Sequence, residues 1–476
     1  MRILKGKIKL EMIFIAIILI VITIILFNGK IAGIADNGDF NRVLRPTHMW
    51  YEQDKTYDDL YFKYVNHKYD ILNPLPTIDN NYLNTHVLTV LLAKTINVIV
   101  YSSDKFDIRF LSFIYIVLLL LGMFILMKNL KTKNVWINII IFTLLTLIIA
   151  DSSNILYFNS LYAEPNAYVF FILSLSFLSS ILKKKEPKLL DGILFFISTT
   201  LFLGSKIQYA PLAILFLPLF LYLFKFYNTK RSRIILTICF TLMIGINSIL
   251  FFIQPKYLNE VTTYNSVFSG ILKNEETAGD FLHDLGLDQK YKALAGTNGF
   301  QSDYPIDINS EEFRRDFYDK IGKKDIVLFY LRHPDLLMTR MFSTGEVTFI
   351  NKPEHLGNRT KSFSQDAVAV EFFSGYYAFK KIMIPKRFVF VLTFFFLYLF
   401  VATYKYLKNS KIQNRIACLY IATLIIFCGI QYVLPTIGDG GLDTAKQLYM
   451  FNVVFDFLVF IIMYRVILSW GTFKNK

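Results

Sequence analysis

The chain has 476 residues, of which 54% are hydrophobic, 17% aromatic and only 18% charged. That balance belongs to a multi-spanning membrane protein and excludes an ordinary soluble domain. The formal charge of +15 falls in short basic clusters between apolar runs, so it reports topology and excludes a nucleic-acid partner. Cys239, Cys418 and Cys428 all lie inside apolar runs, which leaves no disulfide framework for the soluble parts.

From the amino terminus, Arg2, Lys5, Lys7 and Lys9 precede an apolar segment from Met12 to Phe27, which places the amino terminus in the cytoplasm. A basic start and an apolar core also fit a signal peptide, with Gly33 and Ala35 before a cleavage point; the many later spans favour an anchored helix. Immediately outside lies Ala35-Asp36-Asn37-Gly38-Asp39-Phe40-Asn41-Arg42. If this stretch forms a helical turn, Asp36 and Asp39 share a face with Arg42, which seats a base beside a cation. The competing reading is a helix cap made by Asp36 or Asn37 through Gly38. Residues 36 to 106 form a long outer loop, and its apolar run from Asn84 to Tyr101, interrupted by Lys94 and Asn97, reads as an interfacial helix.

Ile108 to Met127 and Val135 to Ile149 are the next spans, with Lys128, Lys131 and Lys133 inside. The polar stretch from Asp151 to Pro165 returns the chain to the outer face and puts Glu164 at the start of the fourth span. After Lys183, Lys184, Lys185 and Lys188, Leu189 to Gly204 and Ile207 to Phe226 read as a tight pair whose outer turn carries Lys206 and Gln208. Ile234 to Ile253 follows, and then a loop of about 130 residues from Gln254 to Pro385, the only stretch long enough for a small soluble domain. Within it, Tyr330 to Met338 and Phe372 to Phe379 read as membrane-grazing helices. Arg387 to Leu407, Ile416 to Leu434 and Gln447 to Leu468 complete the spans, with Arg465, Lys474 and Lys476 inside; the last outer turn, Pro435 to Lys446, holds Asp439 and Asp443. The expected fold is an all-α polytopic membrane protein of about ten transmembrane helices, both termini cytoplasmic, with membrane parts 1–253 and 386–476 flanking a mostly helical extracytoplasmic insertion, 254–385.

With that topology the acidic motifs converge on the outer face: Asp36, Asp39, Asp151, Glu164, Asp439 and Asp443, together with Arg42, Lys206 and Lys446. Each has a bland reading of its own, since Asp151 can end a helix, Glu164-Pro165 is a common first-turn pair, and Gly438-Asp439-Gly440-Gly441 is a turn signal. Together they suit chemistry on a lipid-linked phosphate at the outer leaflet, with a carboxylate taking a proton from an acceptor hydroxyl and cations stabilising the departing phosphate. There is no P-loop, no Cys/His metal spacing and no Gly-x-Ser-x-Gly elbow, which disfavours a cytosolic nucleotide substrate.

Four motifs carry a family resemblance: Ala35-Asp36-Asn37-Gly38-Asp39-Phe40, Phe158-Asn159-Ser160-Leu161-Tyr162-Ala163-Glu164-Pro165, Ser205-Lys206-Ile207-Gln208, and Gly438 to Lys446. The chain resembles the GT-C class of polyprenyl-phosphate-sugar-dependent glycosyltransferases, and within it the bacterial glycan-biosynthesis hexose transferases of the WsfD type. The resemblance implies that an aspartate of the first outer loop is the catalytic base, Asp39 in preference to Asp36, with Glu164 as a further catalytic carboxylate. It implies substrate contacts at Arg42, Lys206, Gln208, Asp439, Asp443 and Lys446. The implied partners are a polyprenyl-phosphate-linked sugar donor, a glycan acceptor and membrane lipid, in a bacterial plasma membrane; a divalent metal is left open as a cofactor. The family's last motif usually continues Lys-His, whereas Gln447 follows Lys446 here, so that histidine's role does not carry over. The rival reading is a transporter or flippase of a lipid-linked glycan, which calls for ionisable residues at mid-bilayer and two related halves with interrupted helices. A third is a scaffold or polymer-length regulator, which needs no carboxylates clustered with cations.

Overall fold

The computed structural model describes residues 9–28, 31–72, 82–361 and 372–473. Arg2, Lys5, Lys7, Lys474 and Lys476 lie outside the described residues. Among those described, seven helices are long and apolar enough to cross a membrane: Leu10–Phe27, Arg109–Leu130, Glu164–Lys183, Lys230–Phe252, Phe388–Lys408, Ile412–Asp439 and Tyr449–Trp470. They become eight if Val135–Ile149 and Ser152–Asn159, bent by 45° at a short break, count as one span. The protein is thus an all-α polytopic membrane protein with fewer full-length spans than the expected ten. Leu189–Leu203 and Ala210–Phe226 make the difference: both are apolar but short. At about 1.5 Å per residue Leu189–Leu203 reaches roughly 22 Å, less than the roughly 30 Å hydrocarbon core. Pro211 and Pro218 further divide the second into a 3₁₀ segment and a short α-helix.

Glu164–Lys183 is the centre of the bundle, 89% of its apolar window being buried, whereas Phe388–Lys408 is 17% buried and presents most of its surface outward. Small polar residues let the central helix approach its neighbours closely. Ser176 Oγ donates to the Gly122 carbonyl at 2.8 Å, and Ser174 meets Thr199 at 2.9 Å. The break after Ile149 has a local cause, because Asp151 caps a new turn by accepting from the Ser153 amide at 2.9 Å.

The stretch between the first two long spans contains a three-stranded antiparallel sheet that the sequence reading did not expect: β1 (Met49–Tyr51), β2 (Lys68–Ile71) and β3 (Lys105–Asp107), in the order β1-β2-β3. Trp50 lies opposite Asp70, and Asp70 opposite Lys105. Strands alternate their side chains, so Met49, Tyr51, Tyr69 and Phe106 turn inward together. The apolar run between β2 and β3 is the helix Thr85–Val100, capped by Asn84 and packed on one side, with Leu88, Leu92 and Ile99 exposed on the other.

The insertion has its own aromatic core from Tyr264 to Tyr330, including Phe268, Tyr291, Phe313 and Phe317. Past this core the chain rejoins the membrane domain, where Met341, Phe349 and Leu356 are buried. Tyr330 to Met338 is not one grazing helix: Lys323–Arg332 ends before Pro334, which starts Pro334–Val347. Insertion and membrane domain meet at two glycines. A Cβ on Gly440, whose φ is +61°, would lie 2.1 Å from the Asn265 carbonyl oxygen, and one on Gly270 would lie 2.8 Å from the Gly440 Cα. Only glycine satisfies both the left-handed backbone and that contact.

Candidate active site

The turn after the first span is built around Asp36. Its Oδ1 accepts from the Gly38 amide at 2.8 Å and the Phe40 amide at 3.0 Å, and Oδ2 accepts from the Tyr51 hydroxyl on β1. Gly38 supplies the positive φ this turn requires. Asp36 is buried, and burial pushes its carboxyl up to about 6, against the hydrogen bonds from Tyr51 and Phe40 that hold it down. Asp36 thus holds the turn rather than capping the helix Asn41–Leu44, whose N-cap is Phe40 with no side-chain cap bond.

Asp39 is differently placed. Its side chain keeps 25% of its surface exposed, lies 3.2 Å from Arg42 Nη1 and contacts Lys446 Nζ through Oδ2. Burial raises its carboxyl, but Arg42, then Lys446 and Lys206, outweigh that and hold it well below the usual carboxylate range. Lys446 is the hub, with only 6% of its side chain exposed. Besides Asp39 it reaches Asn37 Oδ1 at 3.3 Å and Asp443 Oδ2 at 3.5 Å, and it sits 4.7 Å from the Tyr162 ring centre. Asn37 closes the ring: its Nδ2 donates to Asp443 Oδ2 at 2.6 Å, and its backbone amide donates to the Tyr162 hydroxyl at 2.9 Å. Asp443 has φ +49° without being glycine, so the turn carries strain at a residue that faces the cluster.

A second ion pair lies beside the first. Glu164, at the start of the central helix, meets Lys206 at 2.6 Å, and Glu164 Oε2 is buried with no hydrogen-bond partner. Asn166 donates to Ser205 Oγ at 2.8 Å, which locks the Glu164 turn to the Lys206 turn. Gln208 Nε2 donates to Gln431 Oε1 at 3.0 Å and lies 3.4 Å from the Gln447 carbonyl, which ties that turn to the turn before the last span. Asp439 accepts from Asn265 Nδ2 at 2.8 Å and from Gln447 Nε2 at 2.9 Å.

The structure therefore gathers Asp36, Asp39, Arg42, Glu164, Lys206, Gln208, Asp439, Asp443 and Lys446 at one end of the bundle. Asp151 stands apart, its second oxygen accepting from the Tyr377 amide at 3.0 Å. Near it lies a pair the sequence reading missed: Lys380 Nζ meets Asp456 Oδ2 at 2.8 Å, donates to Asn351 Oδ1 at 2.7 Å, and is fully buried. Asp456 is an acid inside the last span, so ionisable residues are not confined to span ends. Its position within an apolar run was the available signal. Tyr162 and Asn37 were visible only as parts of motifs, and Lys323 carries no sequence signal of its own. Among the described residues no group of three or more His, Cys, Asp or Glu is arranged to hold a metal ion; Asp39, Glu164 and Asp443 face lysines and an arginine.

Comparison with known proteins adds a family. None of the curated proteins matches. Among solved structures, the apo crystal structure of the Archaeoglobus fulgidus oligosaccharyltransferase is similar with a TM-score of 0.40 and 11% identity, over 99% of this chain and 52% of that one. This chain thus spans about half the length of that protein, by the same coverage. The family model for the YfdI N-terminal transmembrane domain matches residues 1–476, and the chain belongs to that family.

Proposed function

We propose that the protein is a GT-C-type glycosyltransferase that moves a hexose from a polyprenyl-phosphate carrier to a glycan acceptor at the outer face of a bacterial plasma membrane, with both termini cytoplasmic. The observation that carries this reading is Asp39 held between Arg42 and Lys446, with the Glu164–Lys206 pair alongside. The WsfD-type resemblance rests on the four motifs alone.

In this reading the acceptor hydroxyl attacks the anomeric carbon of the hexose as its proton passes to Asp39. The new carbon–oxygen bond forms while the bond from that carbon to the phosphate oxygen breaks, and the electron pair leaves with the carrier phosphate. Lys446 is the natural partner for the developing charge. A lysine drawn from Asp39 to the phosphate also returns the Asp39 carboxylate toward ordinary basicity, because Lys446 is one of the charges holding it down. Asp36 sets the turn that aims Asp39.

Membranes containing the protein, supplied with labelled hexosyl polyprenyl phosphate and acceptor glycan, test this against the transporter reading. Label is expected in the glycan in a form that resists mild acid cleavage from the lipid. Movement of label across the bilayer as intact lipid-linked sugar, with none in glycan, contradicts the proposal and leaves a flippase.

A further inference from the structure

Lys323 opens the helix Lys323–Arg332 of the insertion. Its side chain leaves the insertion and reaches the last outer turn of the membrane domain. Nζ donates to Thr262 Oγ1 at 2.8 Å and to the Gly438 carbonyl at 3.1 Å. Arg42, Lys206 and Lys446 each face a carboxylate. Lys323 forms no ion pair among the described residues, and its charged neighbour Asp439 is engaged by Asn265 and Gln447. Burial lowers its ammonium to about 8, only partly offset by Asp439. Lys323 is thus a half-buried cation bonded only to neutral oxygens, one of them a last-turn carbonyl of Ile412–Asp439, and its charge is open to an anion.

The surrounding contacts keep it at the site. Asn265 bridges Asp439 and the Gly299 amide, at 2.8 and 2.7 Å, while Gly270 and Gly440 bring the two backbones together. The reaction also has a use for an uncommitted cation. The donor is a phosphodiester with one negative charge, and the departing carrier is a phosphomonoester that reaches two. Lys446 must be drawn from Asp39 to meet that increase, whereas Lys323, bonded only to neutral oxygens, supplies a second cation that gives up no carboxylate. Resting on the function proposed above, we propose that Lys323 is a ligand of the carrier phosphate, supplied by the insertion, so that the phosphate subsite is complete only when the insertion is docked on the turn at residues 438–441.

The test uses the full chain in detergent, with farnesyl phosphate as the probe and farnesol and inorganic phosphate as comparison ligands. Lys323→Gln is the main variant, because its amide can still donate to Thr262 or Gly438 while the charge is gone. Lys323→Arg is the conservative variant, and Lys290→Met, on the exposed side of the insertion, is the control. Farnesyl phosphate affinity is expected to fall about tenfold or more in Lys323→Gln, as for loss of one charge-assisted hydrogen bond, and to hold within about threefold in Lys323→Arg and Lys290→Met. Farnesol affinity is expected to be unchanged throughout. An equal gain for inorganic phosphate over no ligand, with no preference for the prenyl ester, assigns the subsite to free phosphate and overturns the carrier assignment. Unchanged farnesyl phosphate affinity in Lys323→Gln overturns the proposal while leaving the transferase reading standing, and an equal loss for farnesol reduces Lys323 to a structural role. A wild-type protein that binds farnesyl phosphate no better than farnesol overturns the transferase reading and this proposal together.

Discussion

Lys446 contacts Asp39 across a sequence separation of 407 residues. The contact joins the turn after the first span to the turn before the last, so the cluster exists only when the whole membrane domain is closed. It also leaves Asp39 ionised but weakly basic until something else claims the lysine.

Replacing Lys446 by Met is accordingly expected to lower transfer by about 10²- to 10³-fold, the usual effect of removing a donor to developing charge. Asp39 loses one of the charges holding it down, so the remaining activity should become dependent on pH at a higher value than in the wild type. Rates measured with labelled donor from mildly acid to neutral pH check this. An unchanged profile would remove Lys446 from the electrostatics of Asp39.

Asp36 carries a stability expectation of opposite sign to most paired carboxylates. Its pKa is raised from 3.8 to about 6 in the folded chain. The folded state therefore holds the proton more tightly, and the wild type loses stability as pH rises through about 6. In Asp36→Asn the amide oxygen still accepts from Gly38 and Phe40, and no charge forms. The variant is expected to gain on the wild type by an amount on the order of 2–3 kcal/mol between about pH 4 and pH 7.5. Thermal unfolding in detergent at both pH values measures the gap, and a gap that does not open on raising the pH contradicts the burial of this carboxyl.

Much of this was legible in the chain. The long spans follow from apolar runs alone, and four separated motifs pointed to one face. What the linear sequence hides is which carboxylate the backbone holds, because Asp36 is distinguished from Asp39 by Tyr51, and Tyr51 is placed by a sheet of strands only three and four residues long. Strands that short leave almost no alternation to read. Hydropathy also does not register that Leu189–Leu203 is short for a span or that proline interrupts the segment beginning at Ala210. Lys323 and Lys380 looked like ordinary charges in a mixed-charge loop. The contacts that set them apart form only where this loop packs on the membrane helices.

The Glu164–Lys206 pair offers a cycle. Glu164→Gln leaves the Lys206 ammonium buried without its carboxylate, and the expected cost is about 3–5 kcal/mol, as for other broken buried pairs. Glu164→Gln combined with Lys206→Met should recover most of that stability without recovering transfer. Unfolding midpoints and rates for the two single variants and the double separate the roles. Recovery of transfer in the double variant would make the pair purely structural.

Lys323 sets an upper pH limit on phosphate binding. Its ammonium is lowered from 10.5 to about 8, so the charged form that binds an anion is lost as pH rises past that value. Asp439 is the charged group facing it, and is ionised throughout that range. Farnesyl phosphate affinity should therefore weaken between about pH 7 and pH 9.5 in the wild type and stay level in Lys323→Gln. Parallel profiles for the two proteins would place the titrating group elsewhere.

The most direct test compares Asp39→Asn with Asp36→Asn in one assay, transfer of labelled hexose from polyprenyl phosphate to glycan at matched protein levels. If Asp39 takes the acceptor's proton and Asp36 only shapes the turn, Asp39→Asn should lose about 10²- to 10⁴-fold in rate while Asp36→Asn stays within about threefold of the wild type. Near-normal transfer by Asp39→Asn, with the loss appearing in Asp36→Asn instead, would contradict the assignment of the base.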